Sequence, residues 1–308
     1  MRKNGRYGHL HRDGNKKERR YKMILITSAY GNNGRRLIPR LLKKGCNVRA
    51  LDIAENAAKK LKDLGVKEVM IGDMLVSDTL AKAIKGVTKV FHVGPTFHPK
   101  EAEMGMAVIN AASKAGVKHF VYMSVLHPQI HELLQHRMKL RVEQHLINST
   151  LNYTILQPMH YMQNIWMDSH LLEEHVFLQA SKLETRLSFV DMDDVMDVAA
   201  RVLTEEGHFG ATYELCSAEY LNAHEVAAVL SKVLGKEIKA KLVSEDLFIS
   251  GFQKAFPDFG DYPAAALKAL FTYYGQYGFF GNPNVLTWLL GRTPTTLEQY
   301  VRKSISCL

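Results

Sequence analysis

Met23-Ile24-Leu25-Ile26-Thr27-Ser28-Ala29-Tyr30-Gly31-Asn32-Asn33-Gly34 decides the fold. An apolar, strand-like run opens into a glycine-spaced turn, and a helical pattern begins at about residue 33. The spacing is that of a Gly-x-x-Gly-x-x-Gly turn with Ser28 in the first glycine position. Such a turn lets the backbone approach a pyrophosphate, and the following helix N-terminus offers free N–H groups and partial positive charge. Serine tolerates a positive φ poorly, so an altered turn or reduced affinity is expected. An ordinary strand-to-helix turn could use the same residues, but the place of the motif within a βαβ unit favours dinucleotide binding.

Working outward, strand candidates fall at 23–28, 47–52, 68–71, 89–93, 119–124 and 153–157, with helical stretches near 33–44, 55–64, 78–85, 101–115 and 132–148. Val- and Ile-rich strands alternating with helices predict a doubly wound parallel sheet, a Rossmann-type α/β architecture. Gly45, Gly65, Gly86 and Gly116 each stand where a helix needs a left-handed closing residue, and Pro39 falls inside the first helix. After Pro158 the rhythm changes to a strand near 187–190, a helix over 193–203 and a strand at 211–216. Asn222 with Glu225, and Thr295 with Glu298, read as helix-capping pairs. The expected division is a basic tail over 1–22, a dinucleotide-binding domain over 23–158 to which 183–205 returns, and a smaller C-terminal α/β substrate lobe from 159–182 and 206–308.

Asp52 ends the second strand, where a carboxylate accepts hydrogen bonds from both adenine-ribose hydroxyls and repels a 2′-phosphate. NAD is therefore favoured over NADP, although Arg35, Arg36 and Arg49 are nearby cations that could receive a phosphate. Asp52 and Asp73 could equally be turn carboxylates. Asp73 is a candidate for the adenine amino group. Gly94 and Pro95 after the fourth strand, and Pro158 after the sixth, complete the expected cofactor contacts.

The formal charge of +9 suggests a nucleic-acid binder until it is located. Residues 1–22 hold nine Lys or Arg against Asp13 and Glu18, which leaves only +2 for the rest of the chain. Nucleic acid is therefore not an expected partner. The tail has almost no apolar surface to bury and lacks the apolar stretch of a secretory signal. No run of apolar residues is long enough to span a membrane. Cys46, Cys216 and Cys307 are odd in number and far apart, as expected of reduced thiols in a cytoplasmic protein.

Several ordered pieces resemble the NmrA-like family of atypical short-chain dehydrogenases: Gly31-Asn32-Asn33-Gly34, Gly116 to Val125, Lys139 to Glu143, Tyr153 to Pro158 with Tyr161 to Asn164, Phe189 to Val195, and Gly291 to Glu298. The resemblance covers about 23–303 and implies a Rossmann fold of the extended type with a substrate lobe at its C-terminal end. It implies either NAD(P)H-dependent reduction of a small molecule (a quinone, azo or enone class) or dinucleotide sensing through a regulatory protein partner. Oligomeric state is left open.

Typical short-chain dehydrogenases use a strand-five Ser and a Tyr-x-x-x-Lys pair on the next helix, the Tyr protonating the developing alkoxide. Ser124 and Lys139 match, but Gln135 stands in the Tyr position, and a carboxamide is no proton donor near neutral pH. Tyr161, His131 and His136 are candidate substitutes. Phosphates are expected on Ser28, Asn32, Asn33 and Gly34, the nicotinamide ribose on Lys139, and substrate near Ser124, His127 and Tyr161. Lys139 could instead pair with Glu143, four residues on. The fourteen histidines show no recognisable metal-ligand pattern.

Overall fold

The computed structural model describes residues 23–167, 170–256 and 258–306; the basic tail and Cys307 lie outside the described residues. The first half runs β1 (Met23–Thr27), α1 (Asn32–Lys43), β2 (Asn47–Asp52), α2 (Ala57–Asp63), β3 (Glu68–Ile71), α3 (Ser77–Ile84), β4 (Val87–Val93), α4 (Glu101–Lys114), β5 (His119–Met123), α5 (Leu134–Ile147) and β6 (Tyr153–Pro158). A 3₁₀ turn (Met162–Met167), α6 (His170–Glu173), β7 (Val176–Gln179), β8 (Leu187–Ser188), α7 (Met192–Thr204), β9 (Ala211–Leu215) and β10 (Tyr220–Leu221) follow. The chain ends with α8 (Ala223–Leu234), β11 (Lys239–Leu242), α9 (Glu245–Ala255), α10 (Asp261–Tyr277), α11 (Asn284–Leu290) and α12 (Leu297–Ile305).

Seven strands form one parallel sheet in the order β3-β2-β1-β4-β5-β6-β9. Parallel strands need helical crossovers, and these cover both faces. Leu37 and Leu41 of α1, Leu61 of α2 and Val198 of α7 are buried on one side. Leu80 of α3, Val108 of α4 and Val142 of α5 are buried on the other. The strand order reverses between β1 and β4, which opens a crevice at their carboxyl ends. The four helix-closing glycines all take positive φ. Pro39 lies inside α1 on its exposed side and leaves the Arg35 carbonyl without the usual intrahelical donor.

Three expectations are corrected. Ala211–Leu215, expected in the substrate lobe, pairs in parallel with β6 and forms the edge of the main sheet. A short, partly buried edge strand has no sequence mark that tells it from a lobe strand. The strand expected at 187–190 is shorter and pairs with β10 outside the main sheet, although α7 does return to pack beside α1. The last helix is capped by Thr296 and Gln299, one residue beyond the expected pair. Thr295 is instead held by Asp194.

That carboxylate is a clasp between α7 and the C-terminal segment. Asp194 is 1% exposed and accepts from Arg292 at 2.6 Å, from Thr295 N–H at 2.7 Å and from Thr295 Oγ1 at 3.1 Å. Removing it takes the shared acceptor from the half-buried Thr295 and the exposed Arg292. Asp194→Ala is expected to lower stability by about 1–3 kcal/mol in chemical denaturation, with an unchanged m-value.

Candidate functional site

β1 delivers the turn to the crevice, and hydrogen bonds to neighbouring strands fix its shape. Thr27 Oγ1 meets His92 Nδ1 at 2.8 Å and accepts from Val93 N–H at 3.0 Å. Ser28 does take the left-handed conformation, with φ +46°, and its hydroxyl donates to the Val93 carbonyl at 3.0 Å. Its side chain is thus spent on β4, and the turn is built despite the missing glycine. Gly31 N–H donates to the Ser28 carbonyl at 3.0 Å. A Cβ at Gly34 would come within 2.7 Å of the Ala29 carbonyl carbon and 2.8 Å of its Cα, so only glycine lets α1 lie this close to β1. The first turn of α1 has neither an acidic residue nor a side-chain cap, and it faces the crevice with Asn32 and Asn33. Asn33 Oδ1 is buried without a partner. A cradle closed to side chains and an uncapped helix N-terminus together suit a phosphate-bearing ligand.

Asp52 and Asp73 both line the crevice beside the turn. The Asp52 carboxylate accepts from Tyr30 N–H at 2.8 Å and from Ala54 N–H at 3.1 Å, and Asp73 accepts from Leu75 N–H at 2.8 Å. Both are turn carboxylates as well as cavity walls. The cations flanking this end are Arg35 and Lys60, each about 5 Å from the Tyr30 ring centre. Arg49 is turned away, bonded to Glu68 and to the carbonyls of Ala83 and Lys85.

β5 and α5 bring Ser124, Gln135 and Lys139 together at the cavity floor. Ser124 Oγ and Gln135 Oε1 are buried without hydrogen-bond partners of good geometry. Lys139 does not pair with Glu143. Its ammonium donates to Glu101 Oε1 at 2.6 Å, with both side chains almost wholly buried, and lies 5.9 Å from the centre of the Tyr122 ring. Glu101 also explains Gly94. A Cβ there would meet Glu101 Cγ at 2.9 Å, so Gly94 makes room for the lysine's partner as well as lining the cavity with Pro95 and Pro158.

The crevice continues into the lobe as one cavity of about 770 Å³, a size suited to a cofactor with a small substrate. Its far wall is aromatic: Phe248, Phe252 and Phe259 from the α9 region, Phe271 and Tyr274 from α10, and Phe279 beyond it. The Phe248 and Phe271 rings meet edge to face at 5.0 Å, and Tyr274 and Phe279 lie 5.1 Å apart. In the sequence, Phe271, Tyr274 and Phe279 fall in a Tyr/Phe/Gly-rich stretch at 271–281 that does not by itself mark a site, and Phe248, Phe252 and Phe259 carry no mark beyond helical spacing. Glu101 and His160 also belong to the site without a sequence signal. The latter lines the cavity between Phe189 and Tyr274.

Tyr161 lines the cavity, but its hydroxyl is turned toward Met123 Sδ at 3.7 Å and toward Asn33. Burial pushes the phenol well above its usual range, so it keeps its proton. His136 reaches the cavity as well and bonds the His127 carbonyl through Nδ1 at 3.0 Å. His127 and His131 do not line it. The His127 ring sits 3.9 Å from Glu214, and His131 is exposed. Among the described residues no cluster of metal-ligating side chains occurs, and no helix is long and apolar enough to cross a membrane.

Comparison with known proteins agrees with this architecture. The family model described as the NmrA-like family matches residues 20–305. The chain is 29% identical to quinone oxidoreductase 2 of Escherichia coli (strain K12) over 290 residues, which covers 91% of this chain and 97% of that protein. It is 31% identical to the NAD(P)H azoreductase of Xenophilus azovorans over 218 residues, covering 70% and 76%. The crystal structure of the Escherichia coli NADPH-dependent quinone oxidoreductase complexed with NADPH superposes with a TM-score of 0.80 at 28% identity, covering 92% of this chain and all of that one.

Burial gives the histidines a measurable signature. His136 and His160 are lowered to about 4, and His92 and His119 to about 3, chiefly by desolvation. The unfolded chain, with histidines near 6.5, binds more protons than the native state between roughly pH 3 and 6.5. These histidines therefore favour the fold fully above that window, and stability falls as pH drops through it, by up to ~1.4 kcal/mol per pH unit for each histidine. Thermal unfolding across pH 8 to 4 should show the decline, and NMR should show the His136 and His160 rings still neutral at pH 5.

Proposed function

The chain belongs to the NmrA-like family, and we propose that it is an NAD(P)H-dependent reductase of small planar acceptors, of the quinone or azo class. One observation carries the reading: a single cavity joins the phosphate-suited turn at Gly31–Gly34 to an aromatic wall in the lobe. The names of two relatives, a quinone oxidoreductase and an azoreductase, agree with it. The pyrophosphate would lie on the N–H groups of Asn33 and Gly34, the adenine ribose by Asp52, and the nicotinamide end by Ser124, Gln135 and Lys139. When bound, the reduced dinucleotide supplies a hydride. The chain's own part is to hold the acceptor flat against Phe271, Tyr274 and Phe279 and to keep water out with apolar side chains. The buried Lys139–Glu101 pair fixes an ammonium beneath the nicotinamide end without demanding a solvent-exposed lysine. Asp52 favours NAD, because a 2′-phosphate would face a carboxylate held in place by two backbone N–H groups.

A second reading is a dinucleotide-binding regulator that acts through a protein partner. Gln135 favours it, since no proton donor stands where short-chain dehydrogenases carry their tyrosine.

Steady NADH or NADPH consumption with quinones or azo dyes, at roughly 1 per second or faster, is expected of the reductase. Tight binding without turnover across a broad acceptor panel would instead establish the regulator. Gly34→Val should abolish dinucleotide binding in calorimetry while the protein remains folded by circular dichroism. Asp52→Asn keeps an acceptor for one N–H but removes the charge, and should move the NADPH-to-NADH preference upward by on the order of tenfold.

A further inference from the structure

Behind the cavity floor, on the α4–α5 side of the sheet, two buried carboxyl groups share one cation. Lys139 is committed to Glu101 at 2.6 Å. Glu143, one turn further along α5, is 6% exposed, and its contacts beyond that lysine are neutral. Gln157 Nε2 donates to Glu143 Oε1 at 2.9 Å, and the Ser124 hydroxyl lies against the carboxyl. The other titratable neighbour is Tyr122 on β5, whose buried hydroxyl has no partner and is raised by burial and by both glutamates. A carboxyl group removed from water without a cation of its own is pushed toward its neutral form by the cost of desolvation. Burial accordingly pushes Glu143 up, with the Ser124 hydroxyl, the Gln157 amide and Lys139 opposing it only in part.

Ser124 joins this acid to the cavity. It lines the floor, with its hydroxyl against the Glu143 carboxyl. The other candidate donors are otherwise engaged. His136 and His160 are neutral, Tyr161 faces Asn33 and Met123, and Gln135 carries no dissociable proton.

We propose that Glu143 is the proton reservoir of this site and that Ser124 passes its proton to the reduced acceptor. The inference rests on the reductase reading above. A quinone that takes a hydride from a reduced nicotinamide dinucleotide gains two electrons and one proton, and is left as a hydroquinone monoanion. Its oxygen then takes the Ser124 proton, forming one O–H bond as the Ser124 O–H bond breaks. In the same motion Ser124 Oγ takes the proton of the Glu143 carboxyl. Glu143 remains as a carboxylate near Lys139 and regains a proton from water after the hydroquinone departs.

Infrared difference spectroscopy on the full chain without dinucleotide reads the reservoir directly. Wild type minus Glu143→Gln should show a protonated carboxyl band at pH 7 that fades as pH rises. With a quinone acceptor, Glu143→Gln and Ser124→Ala should each lower kcat by on the order of tenfold or more, and Glu143→Gln, at a residue that does not line the cavity, should leave dinucleotide Kd by calorimetry within about twofold of wild type. Ser124→Ala should keep the infrared band that Glu143→Gln loses, and Glu143→Gln should flatten the fall of kcat with rising pH. Ser124→Ala decides the matter if Glu143→Gln does not fold. A missing band, or kcat unchanged in both variants while wild type turns over, overturns the relay alone. A wild-type protein that shows the band but reduces no acceptor overturns the reductase reading, and the relay with it.

Discussion

Helix α1 meets the end of β1 so closely that position 34 has no room for a side chain. That contact sets the direction of the helix axis, and with it the point at which the free N–H groups of its first turn converge. Hydrogen bonds from neighbouring strands hold the rest of the turn in register with it. Tyr30 is tied to Asp52 of β2, while Thr27 and Ser28 are tied to Val93 of β4. The turn is thus clamped from both flanking strands, at the place where the strand order reverses. Ser28 is tolerated in a left-handed conformation because its hydroxyl satisfies a carbonyl at the end of β4, offsetting in part the strain that a glycine would have avoided.

The first half of the fold could be read from the sequence because each signal there is local. Apolar runs at 23–27 and 119–123, a glycine after each of α1 to α4 and the spaced turn at 28–34 specify their own conformations without help from distant residues. The site was only partly legible. Ser124 and Lys139 come from a recognisable strand and helix, and the structure brings them together as expected. Glu101 could not be anticipated as the partner of Lys139, because the two lie 38 residues apart and meet only when α4 and α5 pack side by side. The nearer glutamate, Glu143, looked like the natural partner by helical spacing. Its carboxyl is instead drawn toward Ser124 and Gln157 of the sheet. The aromatic wall was hidden for a related reason, since it assembles from α9, α10 and the segment after it.

The two faces of the sheet are built differently. The α1–α7 side is stitched at its rim by ion pairs that remain partly open to water, with Arg40 reaching Asp197 at 2.7 Å and Asp193 at 3.0 Å. Such pairs contribute modestly. The α4–α5 side carries its polar groups inside, where Lys139, Glu101, Glu143, Gln157 and His92 are all buried. Burying them has a cost that apolar side chains would not have incurred. That cost falls under the cavity floor and not at the sheet's distant edge.

The edge strand β9 has a consequence for how the chain is made. β6 ends at Pro158, but the strand that covers its open side begins only at Ala211, after the 3₁₀ turn, α6, β7, β8 and α7 have been synthesised. Until then β6 presents an unsatisfied row of N–H and C=O groups, the kind of template on which other chains pair. A nascent chain that stalls within 159–210 therefore exposes an adhesive edge beside an otherwise assembled sheet. The intervening segment supplies the α7 cover for the opposite face and several walls of the cavity. Sealing of the sheet is thus delayed until the ribosome has delivered that part of the pocket, and a chain cut short before residue 211 is marked by its own sticky border.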